Sequence, residues 1–294
     1  MAHIDLHDRV VVVTGAGGGL GRSHALSLAQ RGARVVVNDL GGGGDGPSAG
    51  RVVEEIEAAG GTALAVEASV ADREAALDVV EQAVEAFGRV DALVNNAGIL
   101  RDRSFAKMSE QEFRDVIEVH LLGAFHLTAA AWPHFKEQGY GRIVNTTSPA
   151  GLFGNFGQAN YAAAKMGLVG FTRTLAIEGQ RAGINVNVVA PLAASRMTET
   201  ILPAEALAKL DPDLVSPLVT LLCSEACEQT GGVFTAGGGF VGRVGVLQGP
   251  GAVFGDGLTP EDLAERWDEV ISMDDAVEFD GGAAEQGDWV LDRV

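Results

Sequence analysis

Short runs of β-branched residues alternate along the chain with longer amphipathic stretches. Val10–Thr14, Arg34–Asn38, Thr62–Val66, Val90–Val94, Arg142–Thr146 and Ile184–Val189 read as strands, and helices are expected to begin near Gly19, Arg51, Asp72, Gln111 and Ala159. Runs that are apolar at every position, such as Val10–Val13, suit strands covered on both faces better than a sheet with one wet side. Strands alternating with helices give a parallel sheet with right-handed crossovers and helices on both faces, a doubly wound α/β (Rossmann) fold.

No repeat and no Pro/Ser-rich linker interrupts residues 1–245, which read as one domain. Within it, Gly41–Gly50 is too glycine-rich for regular structure and reads as a mobile loop beside the first glycine motif. Residues 246–294 read as an acidic C-terminal extension. There Thr259-Pro260-Glu261-Asp262 supplies an N-cap, a proline at the first helical position and acids in the first turn. Leu263, Trp267, Val270 and Ile271 then share one face, so a single docking helix is expected, followed by a tail that frays beyond Asp274.

The chain has 294 residues, 47% apolar and 21% charged, enough to bury a full core. Its formal charge of −19 repels polyanions, which argues against a nucleic-acid partner. Residues 256–294 hold 13 carboxylates and two arginines, so the tail carries −11 of that charge. Apolar runs are too short to cross a bilayer, and Asp5 and Asp8 argue against a secretory signal. Cys223 and Cys227, spaced i, i+4 in a stretch that reads as helical, lack the spacing of a redox or metal site. They read as buried apolar residues of a cytoplasmic protein, and no metal is expected.

Thr14-Gly15-Ala16-Gly17-Gly18-Gly19-Leu20-Gly21 links the first strand to the first helix, where glycines at 15, 19 and 21 let backbone approach a pyrophosphate at the helix N-terminus. Asp39, at the end of the second strand, is placed to bind both ribose hydroxyls and to repel a 2′-phosphate, and this favours NAD over NADP. Ser148 follows the fifth strand, and Tyr161 and Lys165 share a helix face at i and i+4. A phenol is a poor base at neutral pH, but an adjacent ammonium and a nicotinamide cation both favour its phenolate. Tyr161 then accepts an alcohol proton as hydride leaves, Ser148 holds the substrate oxygen and Lys165 anchors the nicotinamide ribose.

Thr14–Gly21, Asn95-Asn96-Ala97-Gly98 and the Ser148/Tyr161/Lys165 spacing together resemble the short-chain dehydrogenase/reductase family over residues 8–240. The resemblance implies that Asn96 lies beside the adenine ribose, that Ser69-Val70 contact adenine, and that Ala193 and Ser195 approach the nicotinamide carboxamide. Pro191-Leu192 departs from the family's Pro-Gly there. More narrowly, Asn95–Phe105, Gly154–Tyr161 and Ser195–Thr200 resemble the (3R)-hydroxyacyl-CoA dehydrogenase domain of peroxisomal multifunctional β-oxidation enzymes and its standalone bacterial relatives. His120 stands where the wider family has a catalytic asparagine, and this matches that branch. Two readings of it stay open: a proton relay titrating near neutrality, or a satisfied core histidine.

The expected activity is NAD-dependent oxidation of a secondary alcohol, 3-hydroxyacyl-CoA to 3-oxoacyl-CoA. Arg101, Arg103 and Lys107 would give an otherwise acidic protein a basic rim for the polyanionic thioester. The alternatives are a 3-oxoacyl-carrier-protein reductase or hydroxysteroid dehydrogenase and, in another class, a catalytically silent NAD-binding subunit. The resemblance also implies a homo-oligomer, a dimer or tetramer built on the helices around 111–138 and 159–180.

Overall fold

The valines of β1 (Val10–Thr14) are wholly excluded from solvent and alternate between two cores, Val11 and Val13 facing one and Val10 and Val12 the other. A strand covered on both faces belongs in the middle of a sheet, and β1 lies there. The computed structural model describes residues 4–41, 48–193, 205 and 209–294, which divide into two compact units, Met1–Arg243 and Val244–Val294. After β1 come α1 (Gly19–Ala29), β2 (Arg34–Asp39), α2 (Ala49–Ala58), β3 (Thr62–Glu67), α3 (Arg73–Phe87) and β4 (Ala92–Asn95). Next are α4 (Glu110–Ile117), a π-helical turn (Glu118–Leu122), α5 (Gly123–Gln138), β5 (Gly141–Thr146), α6 (Pro149–Phe153) and α7 (Ala159–Gly179). β6 (Ile184–Pro191), α8 (Ser216–Leu222), β7 (Val233–Gly237) and β8 (Phe240–Val244) complete the series.

The strand order is β3-β2-β1-β4-β5-β6-β7-β8, with the pairs from β3 to β7 parallel. The doubly wound α/β expectation is therefore met. β8 follows β7 through Gly238-Gly239, both at positive φ, as a two-residue hairpin turn requires. The order reverses between β1 and β4, where open α/β sheets bind ligands beyond their strand ends. Register carries Thr14 opposite Asn38, Asn95 opposite Asn145 and Thr146 opposite Val189, so the C-terminal ends finish along one edge. One core packs α1, α2 and α8 on the sheet, and the other packs α3 and α5.

One reading is corrected here. α8 stops at Leu222, so Cys223 and Cys227 do not share a helix. Cys223 is buried, its thiol pushed up to about 12 by desolvation, and is unreactive as a nucleophile.

In the second unit, β9 (Leu247–Gln248) pairs antiparallel with β10 (Val277–Glu278). The expected single docking helix is two, α9 (Pro260–Glu265) and α10 (Trp267–Ile271), broken at Arg266, whose φ of −111° and ψ of 26° leave the helical region. The Thr259/Asp262 capping box that starts α9 is present as read. The tail beyond Asp274, expected to fray, instead forms β10 and α11 (Ala283–Leu291), where Phe279 and Trp289 meet edge to face at 5.6 Å. Among the described residues no helix is long and apolar enough to cross a membrane.

Candidate active site

At the C-terminal end of β1 the chain reverses through its glycines. Gly15 has φ +61°, and a Cβ there would lie 2.7 Å from Ala97 Cα; at Gly21 a Cβ would lie 2.2 Å from the Gly15 carbonyl oxygen. Only glycine allows that closeness. Gly18 caps α1 without any side-chain hydrogen bond, and no acid occupies the first turn. The first-turn amides and the positive helix end therefore face outward as an anion site, with open space beside Gly19. Leu20 packs against the core and anchors the start of α1.

Asp39, closing β2, accepts hydrogen bonds from Gly17 N and Leu40 N, both at 2.8 Å. Its carboxylate thus lies against the glycine turn, and a Cβ at Gly17 would sit 2.8 Å from Asp39 Oδ2. Arg22, the base nearest the turn, is held by Glu55, with Nε donating to Oε1 at 3.0 Å and Nη2 to Oε2. The pairing raises the arginine's pKa and lowers the glutamate's. A bare anion site at the turn and a carboxylate beside it fit a dinucleotide with a free ribose diol.

Asn96 lies against the glycine turn at the end of β4. Its Nδ2 donates to the carbonyls of Thr14 at 2.9 Å and Gly15 at 3.1 Å, and Thr14 Oγ1 accepts from Asn96 N and Ala97 N. Its amide hydrogens brace the glycine turn. Ser69 and Val70 follow β3; Val70 is buried with Cγ2 packed on Gly123, and its carbonyl lies 3.2 Å from His126 Nδ1. Ala193 is buried just past β6. Ser195 lies outside the described residues, as do 42–47 of the glycine-rich loop and 195–200 of the third branch motif.

The structure brings Ser148, Tyr161, Lys165 and His120 together. Ser148 caps α6, its Oγ accepting from Ala150 N at 3.2 Å, and its hydroxyl draws the Tyr161 phenol's pKa down. Lys165 Nζ lies 5.5 Å from the Tyr161 ring centroid and donates to the Thr146 carbonyl at 2.5 Å. Thr147 Oγ1 donates to the Lys165 carbonyl at 2.7 Å, so the end of β5 and the middle of α7 are tied in both directions.

Burial sets the protonation balance. Desolvation lowers Lys165 to about 7 and raises the Tyr161 phenol, against a downward pull from Ser148. Lys165 gives one of its three ammonium hydrogens to the Thr146 carbonyl, which leaves two for other acceptors.

His120 lies in the π-turn, its ring perpendicular to that of Tyr161 at a centroid distance of 5.2 Å. Nε2 lies 2.8 Å from the Ile99 carbonyl oxygen and 3.1 Å from Ile99 N, while buried Nδ1 has no partner among the described residues. Desolvation, then the Lys165 charge, push the imidazole down to about 3. It is neutral at physiological pH, which corrects the reading of a relay titrating near neutrality.

Arg103 pairs with Glu112 at 2.8 Å and Arg101 lies 3.9 Å from Asp115, which leaves Lys107 as the rim residue without a described ion pair. Sequence reading missed the hydrogen bonds beneath the site. Asn95 Nδ2 donates to Asn145 Oδ1 at 2.8 Å, and Asn145 Nδ2 to Thr172 Oγ1 at 2.9 Å, joining β4, β5 and α7. The available signal was an asparagine near the end of each of two apolar strands.

This geometry agrees with what the chain is similar to. The short chain dehydrogenase family model matches residues 9–205. A short-chain type dehydrogenase/reductase of Mycobacterium tuberculosis is 51% identical over 276 residues, covering 92% of this chain and 96% of that protein. Peroxisomal multifunctional enzyme type 2 of Mus musculus is 49% identical over 276 residues, 91% of this chain but only 37% of the enzyme. The full-length peroxisomal multifunctional enzyme type 2 from Drosophila melanogaster superposes with a TM-score of 0.85 at 43% identity, over 98% of this chain and 50% of that one. With the glycine turn, the strand order and the serine–tyrosine–lysine cluster each found where such an oxidoreductase needs them, the chain belongs to the short-chain dehydrogenase family.

Proposed function

We propose that the protein oxidises the 3-hydroxyl of a 3-hydroxyacyl-CoA to the 3-oxo thioester with NAD. The observation that carries the reaction is the meeting of the Tyr161 hydroxyl, Ser148 and Lys165 at the strand edge beyond the glycine turn. NAD, when bound, accepts the hydride. Ser148 hydrogen-bonds the substrate oxygen, Tyr161 removes its proton, and Lys165 returns a proton toward solvent and holds the nicotinamide ribose. Neutral His120 backs the Tyr161 ring edge to face. The residues that would hold the cofactor are the glycine-turn amides, Asp39, Val70, Ala193 and Ser195.

NAD over NADP is supported by Asp39 on Gly17 and by the engagement of Arg22 with Glu55, which leaves it no free fork for a 2′-phosphate. The acyl-CoA class is supported by the branch motifs and by the likeness to multifunctional enzymes, of which the chain spans about a third to a half. A dimer or tetramer is supported by exposed Phe113, Phe125, Met166 and Ile177 on α4, α5 and α7.

The test is the initial rate of NADH formation with paired (3R)- and (3S)-3-hydroxyacyl-CoA, with NADP and a hydroxysteroid as parallel substrates. Turnover of one thioester antipode with NAD alone is expected. No rate with either thioester, while NAD still binds, would refute the substrate class; a faster rate with NADP would refute the cofactor.

A further inference from the structure

A chain of hydroxyls ties α1 to the segment that leads into α8. Ser23 Oγ donates to Asp213 Oδ1 at 2.6 Å and lies 2.5 Å from Ser216 Oγ, which in turn lies 2.8 Å from His24 Nδ1. One turn further along both helices, Ser27 Oγ meets Thr220 Oγ1 at 2.8 Å. Ser23, His24 and Ser216 are buried, whereas Asp213 reaches solvent. The carboxylate settles the order of the hydrogens. It only accepts, so Ser23 donates to it; the Ser23 oxygen then accepts from Ser216, and the Ser216 oxygen from His24. Burial keeps His24 neutral, its imidazole lowered to about 4, so the ring carries its single hydrogen on Nδ1. Every hydrogen in the chain therefore points toward Asp213, 190 residues beyond Ser23 in the sequence.

The start of α1 needs a hold of this kind. Its first turn contains Gly19 and Gly21, Gly18 caps it without a side-chain hydrogen bond, and no acid stabilises it. Glycine disfavours a helix by up to about 1 kcal/mol per residue relative to alanine, so this turn is weak by itself, yet its amides face the anion site. Arg22 N closes the turn on the Gly18 carbonyl at 3.2 Å, and Ser23 follows directly. Arg22 is held by Glu55 of α2, and Ser23 by Asp213 from the far half of the chain. We propose that Asp213, acting through Ser23, is a positioning residue for the cofactor's pyrophosphate: it keeps the glycine-rich first turn of α1 ordered, with its amides in place, before the ligand arrives. This rests on the reading that the glycine turn holds a dinucleotide, and extends that site to a residue outside the glycine motif.

The probes are ADP-ribose, which has the pyrophosphate, and adenosine, which lacks it, each titrated calorimetrically into the whole 294-residue chain. In Ser23→Ala the affinity for ADP-ribose should fall roughly three- to tenfold, while that for adenosine stays within about twofold. Asp213→Ala should do the same, and the Ser23→Ala/Asp213→Ala double variant should lose no more than the larger single loss, because the same bond is removed in all three. Asp213→Asn, which keeps an acceptor for Ser23, should lose less than Asp213→Ala. Ser216→Ala separates positioning from stability. It leaves Ser23 donating to Asp213 but strands the His24 Nδ1 hydrogen, so it should lower Tm with the ratio of the two affinities unchanged. Equal ADP-ribose affinity in the parent and Ser23→Ala, a parallel fall for both ligands, additive losses in the double variant, or a Ser216→Ala ratio as low as that of Ser23→Ala would each overturn the proposal. A parent chain that binds ADP-ribose no better than adenosine would refute the dinucleotide reading itself, and the proposal with it. None of these titrations uses an alcohol or thioester, so their failure is distinguishable from failure of the substrate assignment.

Discussion

Gly98→Ala tests whether His120 is wedged against the catalytic tyrosine. A Cβ at Gly98 would lie 2.3 Å from His120 Cε1, 3.0 Å from Nδ1 and 3.1 Å from Nε2. The backbone at Gly98 is not at positive φ, so what first opposes alanine there is the ring. The ring has little room to retreat: Nε2 is fixed on the Ile99 backbone and the Tyr161 ring stands edge-on at 5.2 Å. Overpacking of this kind costs about 1–3 kcal/mol, and loss of the Ile99 hydrogen bond adds about 1 kcal/mol. For a chain of this size the sum lowers Tm by roughly 3–7 °C. Thermal unfolding of Gly98→Ala, His120→Ala and the double variant forms a cycle. In the His120→Ala background the clashing atoms are gone, so the added methyl should cost under about 1 kcal/mol. A Gly98→Ala penalty of equal size in both backgrounds, or none in the parent, would refute the wedge.

Tyr161→Phe should abolish turnover while NAD binding, followed by nucleotide fluorescence quenching or calorimetry, survives; normal turnover would remove Tyr161 from the mechanism. Asp39→Ala deletes the acceptor of Gly17 N and the expected ribose contact, and should narrow the NAD/NADP ratio of kcat/KM by about tenfold or more; an unchanged ratio would count against that contact. His24 is buried against Ser216 Oγ at 2.8 Å, and burial lowers its imidazole to about 4. The unfolded chain, near 6.5, takes up a proton first, so this stabilisation is complete above about pH 6.5 and lost as pH falls toward 4, by up to roughly 3 kcal/mol. His24→Gln lacks it, so its deficit against the parent in denaturant titrations should narrow on going from neutral to acidic pH, and a constant deficit would show that His24 is not held neutral.

The central strands were legible because a valine run has few other places to go: Val10–Thr14 is the strand as read, and the others differ by one or two residues at their ends. Helix starts were legible from caps, as at Asp72, whose Oδ1 accepts from Glu74 N and Ala75 N. β7 and β8 were not read, because Gly231–Gly232 and Gly237–Gly239 break the β-branched pattern that marked the earlier strands. The serine, tyrosine and lysine followed from spacing, since strand end and helix face fix their positions. What His120 touches did not, because it depends on Gly98, 22 residues earlier and on another element. The bracing role of Asn96 and the pairing of Arg101 and Arg103 are likewise tertiary facts. A motif names residue types, whereas the partners that spend their hydrogen bonds come from the fold.

The π-turn at Glu118–Leu122 has a consequence for how this protein can change. One residue more than an α-turn requires is accommodated there, which rotates everything after it by about 100° relative to everything before. α4 is thereby free to lie on α7 while α5 lies on α3 and on the strands β4 and β5. Deleting a single residue at Leu121 or Leu122 would heal the helix and gain backbone regularity, yet it would swing one of those two contact faces into the wrong neighbour and carry His120 off Tyr161. Selection for a stiffer scaffold and selection for turnover pull in opposite directions at this turn. A search for thermostable variants should therefore find few gains between residues 118 and 122, and those it does find should be slow enzymes.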